Sequence, residues 1–173
     1  LGLGNNKNKA IYSTPQLLPS KAFDGRIIQI SCTKNMLTPV KGPGKEGLHT
    51  MAITEIGKLY SWGAGHKGKC ANLLSKWGFH LKGDEDIKKP YLVGGKAYDK
   101  KDKDVDTEYF KDVKLIQCLA GAIHSGVVSG DGKCYTFGCG SDGRMGLKAY
   151  EDDSCGAGKQ VFKFYVSRLQ MIM

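Results

Sequence analysis

Long hydrophobic runs, paired cysteines and prolines are all scarce in this sequence. No stretch of about 18 consecutive apolar residues occurs, so we expect no membrane-spanning helix and no membrane partner. The start of the chain has no charged segment followed by an apolar one, which argues against a secretory signal. None of the six cysteines forms a C-x-x-C pair, which argues against a disulfide scaffold and a zinc site. We therefore predict an intracellular protein, nuclear or cytoplasmic.

Glycine, by contrast, is abundant, with 24 residues among 173 and only five prolines. With 40% hydrophobic and 25% charged residues, the chain is globular and long enough for one domain with a core. A glycine share about twice the average, without clear helical runs, indicates many turns. Because the first residue is Leu1 rather than methionine, we expect the chain to be an internal piece of a longer protein.

The formal net charge of +9 favours acidic partners such as an acidic protein face or nucleic acid. Much of the charge lies in runs of both signs, GDEDIKKP at 83–90 and YDKKDKDVDTEYFKDVK at 98–114. Such mixed runs are typical of solvated loops rather than of a binding stripe. Direct nucleic-acid binding is therefore only a weak prediction.

The main signal is an internal repeat with a spacing of 75 residues. Residues 49–71 align without a gap on residues 124–146, and seven of the 23 positions are identical. These are one histidine, one lysine, one tyrosine and four glycines. Upstream of each histidine, RIIQISC at 26–32 resembles KLIQCLA at 114–120.

These similarities divide the chain into repeat units. The longer separation before the first histidine indicates a loop insertion, and a charged insertion interrupts the second unit. The expected boundaries are the end of one unit at 1–4, a unit at 15–73 with its insertion at 33–47, a unit at 90–147 with its insertion at 96–112, and the start of a further unit at 159–173.

Each unit has the pattern of short strands. Residues 49–54 alternate with the period of a half-buried strand, and Asp131-Gly132 predicts a hairpin turn. The strand after the turn places two aromatic side chains on one face. The aromatic pairs are Tyr60 with Trp62 and Tyr135 with Phe137.

A glycine pattern, G-x-G-x-x-G, follows this strand in both units, as GAGHKG at 63–68 and GCGSDG at 138–143. In dinucleotide-binding proteins this pattern opens a helix whose N-terminus meets the pyrophosphate. Here no helical pattern follows, and Cys70 replaces the hydroxyl residue that a phosphate-binding P-loop needs. We therefore interpret the glycines as structural turns and expect no cofactor.

The combined string, HTMAITEIGKLYSWGAGHKG, resembles the regulator of chromosome condensation repeat. The resemblance implies an all-β fold, a partial β-propeller with four-stranded antiparallel blades that is a fragment of a seven-bladed ring. The residues that carry the motif are His49, Gly57, Tyr60, Trp62, Gly63, Gly65, Gly68, His124, Gly132, Tyr135, Phe137, Gly138, Gly140 and Gly143.

No arrangement of residues for hydrolysis, group transfer or redox chemistry stands out, so we predict no catalytic residue and no metal site. His49 and His124 hold equivalent positions in the repeat, which favours hydrogen-bonded core or interblade roles over catalysis. The function that remains is binding through long, basic loops. The candidate residues are Lys34, Lys41, Lys45, Lys67, Lys69 and Arg144.

The resemblance implies three alternative functions. The first is a nucleotide exchange factor or regulator for a Ran-like small GTPase, with histones or chromatin as further partners. The second is an adaptor that recruits ubiquitination substrates within a larger protein such as a HECT-type ubiquitin ligase. The third, an ultraviolet-B light sensor, is disfavoured because Leu48 stands where that reading needs tryptophan, and the chain has only two tryptophans.

Overall fold

A computed structural model of the chain describes residues 2–4, 12–33, 48–65, 68–71, 87–94, 110 and 112–138. A single turn of 3₁₀ helix at Ser20–Ala22 precedes the strands. The seven strands are β1 (Ile27–Cys32), β2 (His49–Thr54), β3 (Leu59–Gly63), β4 (Ile87–Leu92), β5 (Leu115–Ala120), β6 (His124–Ser129) and β7 (Cys134–Gly138).

The strands form two antiparallel sheets, which we call the first blade and the second blade. The first blade has the order β1-β2-β3-β4, and the second has the order β5-β6-β7. Sequential strands are therefore neighbours throughout, as in a meander. The prediction of an all-β fold built from antiparallel propeller blades is confirmed.

The repeat in the sequence is also a repeat in strand register. His49 lies opposite Gly63 in the first blade, and His124 lies opposite Gly138 in the second. Both first strands carry a register shift at the same place, after Ile27 in β1 and after Leu115 in β5. Residues 88 apart in β1 and β5 are thus structurally equivalent, as are residues 75 apart in the hairpins that follow.

Each hairpin closes through the same turn. The Thr54 amide donates to the Lys58 carbonyl at 3.0 Å, and the Ser129 amide donates to the Lys133 carbonyl at 2.9 Å. The glycine inside each turn has a positive φ, +83° at Gly57 and the closely similar +81° in the second hairpin. This left-handed conformation favours glycine, which explains why the predicted turn at Asp131-Gly132 is present.

The first blade differs from expectation in its burial. The alternation in residues 49–54 predicts a half-buried strand, yet both faces of β2 are covered, and Met51, Ala52 and Thr54 are all buried. The prediction of one exposed face is wrong because β2 lies in a blade with packing on both sides. In β6, whose outer face has no described blade against it, every second residue is buried.

Two apolar clusters account for this packing. The larger one draws from both blades and so forms the contact between them. The smaller one packs Tyr60 and Trp62 against Leu18 and Phe23 on the other face of the first blade. The larger cluster consists of Met51, Ile53, Leu59, Ala71, Val93, Leu115, Cys118, Val127, Tyr135 and Phe137.

An aromatic residue ahead of each first strand extends the repeat. Phe23 meets the Tyr60 ring edge-on at 5.1 Å between centroids, and Phe110 meets Tyr135 in the same way at 5.3 Å. Such edge-to-face pairs contribute about 0.5–1.5 kcal/mol beyond their buried area. The phenylalanine is therefore part of the repeat, because in both blades it packs against the tyrosine of the hairpin.

The blades and the sequence units are out of phase. β4 pairs with β3 in the first blade, so the expected unit boundary at residue 90 falls inside a strand. The insertion at 33–47 joins β1 to β2, and the insertion at 96–112 lies between β4 and β5. Most residues of both insertions, and all of 159–173, lie outside the described residues.

Candidate functional site

The two blades meet at a polar seam, which we define by His49, Thr33, Lys69 and Ser125. His49 stands at the start of β2 and is 1% exposed. Its Nδ1 lies 2.8 Å from the Thr33 Oγ1, and its Nε2 lies 2.7 Å from the Ser125 Oγ of the second blade. The imidazole therefore joins the two blades through its Nε2, while its Nδ1 contacts Thr33 within the first blade.

The surrounding hydrogen bonds assign the tautomer of His49. The Ser125 hydroxyl donates its proton to the Lys69 carbonyl at 2.7 Å, so it accepts from the Nε2–H of His49. The Nδ1 atom then has no proton, and it is the nearest of the three acceptors within reach of the Thr33 hydroxyl, at 2.8 Å against 3.1 Å for the carbonyls of His49 and Gly121. Both ring nitrogens are satisfied by a neutral imidazole, and the seam contains no unpaired atom of this ring.

The environment of His49 also disfavours its charged form. Burial above all, together with the positive charge of Lys69 and the proximity of His124, lowers the pKa of His49 to about 4. Lys69 is itself 1% exposed, and its Nζ donates to the Ala122 carbonyl at 3.3 Å. The seam thus contains one buried cation, Lys69, and its charge disfavours protonation of His49.

This depressed pKa predicts a stability that depends on pH. The unfolded chain, with a histidine pKa near 6.5, binds the proton before the folded chain does as the pH falls. The His49 contribution is complete above about pH 6.5 and is lost towards about pH 4, a total of about 3 kcal/mol. Urea unfolding between about pH 7.5 and pH 5 should show a loss of about 2 kcal/mol from this residue.

The His49→Gln variant is the control for that measurement, since glutamine keeps hydrogen-bonding capacity but does not titrate. Subtracting its pH profile removes the contribution of carboxylates and of His124. A wild-type profile parallel to that of His49→Gln over the whole range would contradict the assignment.

A second set of contacts crosses the seam between β1 and β5. The Gln29 side chain forms two hydrogen bonds with the backbone of Cys118. Its Oε1 accepts from the Cys118 N–H at 2.7 Å, and its Nε2 donates to the Cys118 C=O at 3.2 Å. The Ser31 hydroxyl accepts from the Ala120 N–H at 2.9 Å. Sequence reasoning aligned these two segments but missed the contacts. The signal was the glutamine at the same place in both, Gln29 and Gln117.

The hairpin glycine of the first blade also contacts the second blade. The Gly57 carbonyl accepts from the Leu115 N–H at 3.0 Å. A Cβ at Gly57 would lie 2.8 Å from the Lys114 Cα and 2.9 Å from the Leu115 nitrogen. Glycine is required here both by its positive φ and by the close approach of the next strand.

Close packing against the backbone also explains the first glycine of each G-x-G-x-x-G pattern. A Cβ at Gly63 would lie 2.8 Å from the His49 Cα, and one at Gly138 would lie 2.7 Å from the His124 Cα. The first glycine of each pattern is the last residue of its strand, and only glycine can lie this close to the histidine of the neighbouring strand. Gly65 and Gly68 are joined by a turn hydrogen bond, and residues 72–80, which follow the pattern, lie outside the described residues. Gly140 and Gly143 lie outside the described residues.

Of the six basic residues that the sequence assigns to partner-binding loops, the structure describes only Lys69. Its burial in the seam is incompatible with a surface role, because the side chain lies between the blades instead of projecting from the loop. Lys69 therefore leaves the set of candidate contacts. Lys34, Lys41, Lys45, Lys67 and Arg144 lie outside the described residues.

The chemistry of the described residues is that of a closed interface. The His49–Ser125 pair has the spacing of a base and a nucleophile, but both residues are 1% exposed or less. Burial raises the pKa of the Cys118 thiol to about 12, which keeps it protonated. Within the described part of the chain, no group of three or more His, Cys, Asp or Glu is arranged to hold a metal ion. No described helix is long and apolar enough to cross a membrane.

Comparisons with known proteins lead to one family of folds. No family model matches the chain. It is 28% identical over 100 residues to human E3 ubiquitin-protein ligase HERC2, a match that covers 58% of this chain and 2% of that protein. It is 28% identical over 148 residues to the Arabidopsis thaliana ultraviolet-B receptor UVR8, covering 85% of this chain and 24% of that one.

The fold is also similar to a solved structure of Kap60 bound to yeast RCC1 (Prp20). The TM-score is 0.53 at 21% identity, with 88% of this chain and 28% of that chain covered. The chain therefore spans a quarter or less of the curated relatives that it matches.

Proposed function

We propose that this chain, which is similar in its repeat motif and fold to the RCC1-like β-propellers, recruits a protein partner on behalf of a larger polypeptide. The observation that carries the proposal is the use of the polar seam. The side chains best suited to acid–base or nucleophilic chemistry are buried, and their hydrogen bonds join the two blades. These are His49, Ser125 and Lys69. The residues left for function are those of the surface loops.

Two properties of the chain favour a partner with an acidic face. The net charge is +9, and the insertion at 33–47 contains three lysines and no acidic residue except Glu46. This insertion leaves the blade between β1 and β2, at the end where Thr33 and His49 lie side by side. A basic segment that connects two strands at one end of a blade is suited to steering and binding an acidic surface.

The adaptor role is supported by the match to HERC2, where a segment of this kind makes up a small share of a long ligase chain. The matched relatives carry different names, a ligase and a light receptor, so the propeller is what they share. A second candidate, regulation of a Ran-like GTPase, follows from the resemblance of the repeat motif, and the likeness to yeast RCC1 at 21% identity supports the shared fold. An exchange factor needs no catalytic side chain, since it acts by preferring the nucleotide-free state of its partner.

One titration tests the proposal. Nucleosome core particles and a nucleotide-free Ran-like GTPase serve as probes, and anisotropy measures their binding to the chain. In Lys41→Glu/Lys45→Glu we expect at least one affinity to fall about tenfold or more, equivalent to about 1.4 kcal/mol. The matched control is Lys21→Glu/Lys89→Glu, which makes the same change in charge at exposed residues away from the insertion.

The outcomes separate the two candidates. Binding to the GTPase with accelerated release of a labelled nucleotide supports the exchange role. Binding to either probe without such release supports the adaptor role. If neither probe binds, or if the control weakens binding as much as the insertion variant, the proposed use of the insertion is wrong.

A further inference from the structure

Three half-exposed isoleucines lie at one end of the two blades. Ile28 near the start of β1 and Ile56 in the hairpin between β2 and β3 are each 53% exposed, and Ile116 near the start of β5 is 49% exposed. β1 and β2 are antiparallel neighbours, so the start of β1 lies beside this hairpin. The hydrogen bond from Leu115 to Gly57 places the start of β5 there too. We call Ile28, Ile56 and Ile116 the isoleucine surface.

Neighbouring blades do not cover this surface. Ile28 and Ile116 are equivalent in the repeat, and both stay exposed although Ile28 has the second blade beside it and Ile116 has the first. The equivalent pair Ile30 and Cys118 differs, since Ile30 is 59% exposed and Cys118, which faces the first blade, is fully buried. Blades of a propeller adjoin through their faces, so further blades cover positions such as Ile30 and leave the blade ends open.

The register shift shared by the two first strands explains this exposure. Ile28 is the extra residue between two paired residues of β1, and Ile116 is the extra residue at the same place in β5. A bulge takes such a residue out of the regular alternation between the two faces and changes the direction of its side chain. Neither isoleucine is therefore used in the contact between blades.

A cation without a carboxylate lies next to the isoleucine surface. Arg26 and Lys114 hold the same repeat position, because the carbonyl of each accepts from a hairpin amide of its own blade at 2.8 Å, Glu55 for Arg26 and Gly130 for Lys114. The Glu55 carboxylate pairs with Arg26 at 3.2 Å, whereas Gly130 has no side chain to pair with Lys114. Lys114 is exposed and forms no ion pair with any residue that the structure describes.

The position of Lys114 brings this charge to the isoleucines. Lys114 is two residues before Ile116. A Cβ at Gly57 would lie 2.5 Å from the Lys114 Cγ, so the stem of the lysine lies against the hairpin that carries Ile56. Lys58, in the same hairpin, is already paired with a carboxylate. An aliphatic surface and one uncompensated ammonium group thus stand side by side.

We propose that the isoleucine surface binds an acidic peptide segment of a partner protein, with aliphatic side chains against the isoleucines and a carboxylate on Lys114. The apolar side chains lose water on contact, and the carboxylate supplies the charge that Gly130 lacks. The net charge of +9 steers such a segment towards the chain. The surface lies at the end of the blades opposite to the insertion at 33–47, which leaves the blade after β1. It is therefore separate from the insertion and leaves the insertion open to its own partner.

Fluorescence anisotropy with a labelled peptide and two comparison peptides tests the proposal on the full 173-residue chain. The probe has the sequence Gly-Asp-Leu-Glu-Ile-Asp-Gly. One comparison peptide has serine in place of leucine and isoleucine, and the other has the amides in place of the acids. We expect each comparison peptide to bind about fivefold more weakly than the probe, because the first loses the apolar contact and the second loses the charge for Lys114.

Variants of the chain locate the binding. Ile116→Ser should weaken binding of the probe about fivefold through the lost apolar contact. Its matched control is Leu48→Ser, because Leu48 is 51% exposed at the opposite end of β2. Lys114→Gln should weaken binding about threefold and reduce the preference for the acidic probe over the amide peptide. Lys89→Gln, at an exposed position of β4, is its control, and both controls should leave binding unchanged.

Three results would overturn the proposal. They are a probe that does not bind the wild-type chain, a comparison peptide that binds as tightly as the probe, and a control variant that weakens binding as much as its partner does. Circular dichroism confirms that each variant is folded. Every variant keeps the insertion at 33–47 unchanged, so failure here is distinct from failure of the binding proposed for the insertion.

Discussion

His49→Ala is expected to lower the free energy of unfolding by about 3 kcal/mol. The substitution leaves the Ser125 and Thr33 hydroxyls without their ring partner in a site that is closed to water. An unsatisfied buried group costs about 1–3 kcal/mol, and the space left by the ring adds to that cost. Urea unfolding at about pH 7.5, where the imidazole is neutral, gives the value directly.

His124→Ala is the matched comparison, because His124 holds the same repeat position at the half-buried end of the second blade. We expect a loss of about 1 kcal/mol for this variant, since water can reach the groups that it exposes. Equal losses for the two substitutions would show that the histidines act within their own blades. The larger loss at His49 identifies the contact between blades as the source of the stability.

Gly57→Ala is expected to destabilise the chain by about 3 kcal/mol, against about 1 kcal/mol for Gly132→Ala. Both glycines have a positive φ, so alanine suffers the same left-handed strain of about 1–2 kcal/mol at either position. Only at Gly57 does the added Cβ meet the backbone of the next blade, at 2.8 Å and 2.9 Å. Moving that backbone disturbs the packing of both blades.

Because both glycines have the same backbone conformation, the two variants together measure how much the contact between the blades at Gly57 contributes to stability. The difference between their unfolding free energies in urea is the quantity of interest. A difference near zero would mean that the blades separate easily at the hairpin. A difference of about 2 kcal/mol would mean that the second blade is held rigidly against the turn of the first.

These expectations follow from how the repeat uses its polar residues. The histidine, the glutamine and the hairpin glycine of the first blade all contact backbone or hydroxyl groups of the second blade. A propeller segment of this type is joined by hydrogen bonds as well as by its apolar cluster. The proposed partner binding through the insertion at 33–47 therefore uses residues other than those that hold the blades together.

The amino-acid sequence by itself determined the repeat, the antiparallel hairpins and the positions of the required glycines. These features are local, because a turn that needs positive φ selects glycine and neighbouring strands pair through residues close in sequence. The same local information placed His49 and His124 at equivalent positions.

Only the tertiary structure decided which surfaces are buried and which remain open. Lys69 has the composition of an exposed loop residue, yet it lies at 1% exposure between the blades. Gln29 and Gln117 hold the same position in the repeat, but Gln29 is hydrogen-bonded to Cys118 whereas Gln117 is exposed. Burial of this kind depends on which blade stands next to a residue, and neighbouring blades are brought together by contacts 53 to 89 residues apart. Periodicity within a single strand contains no record of that neighbour, which is why the two-sided burial of β2 was absent from the pattern and present in the fold.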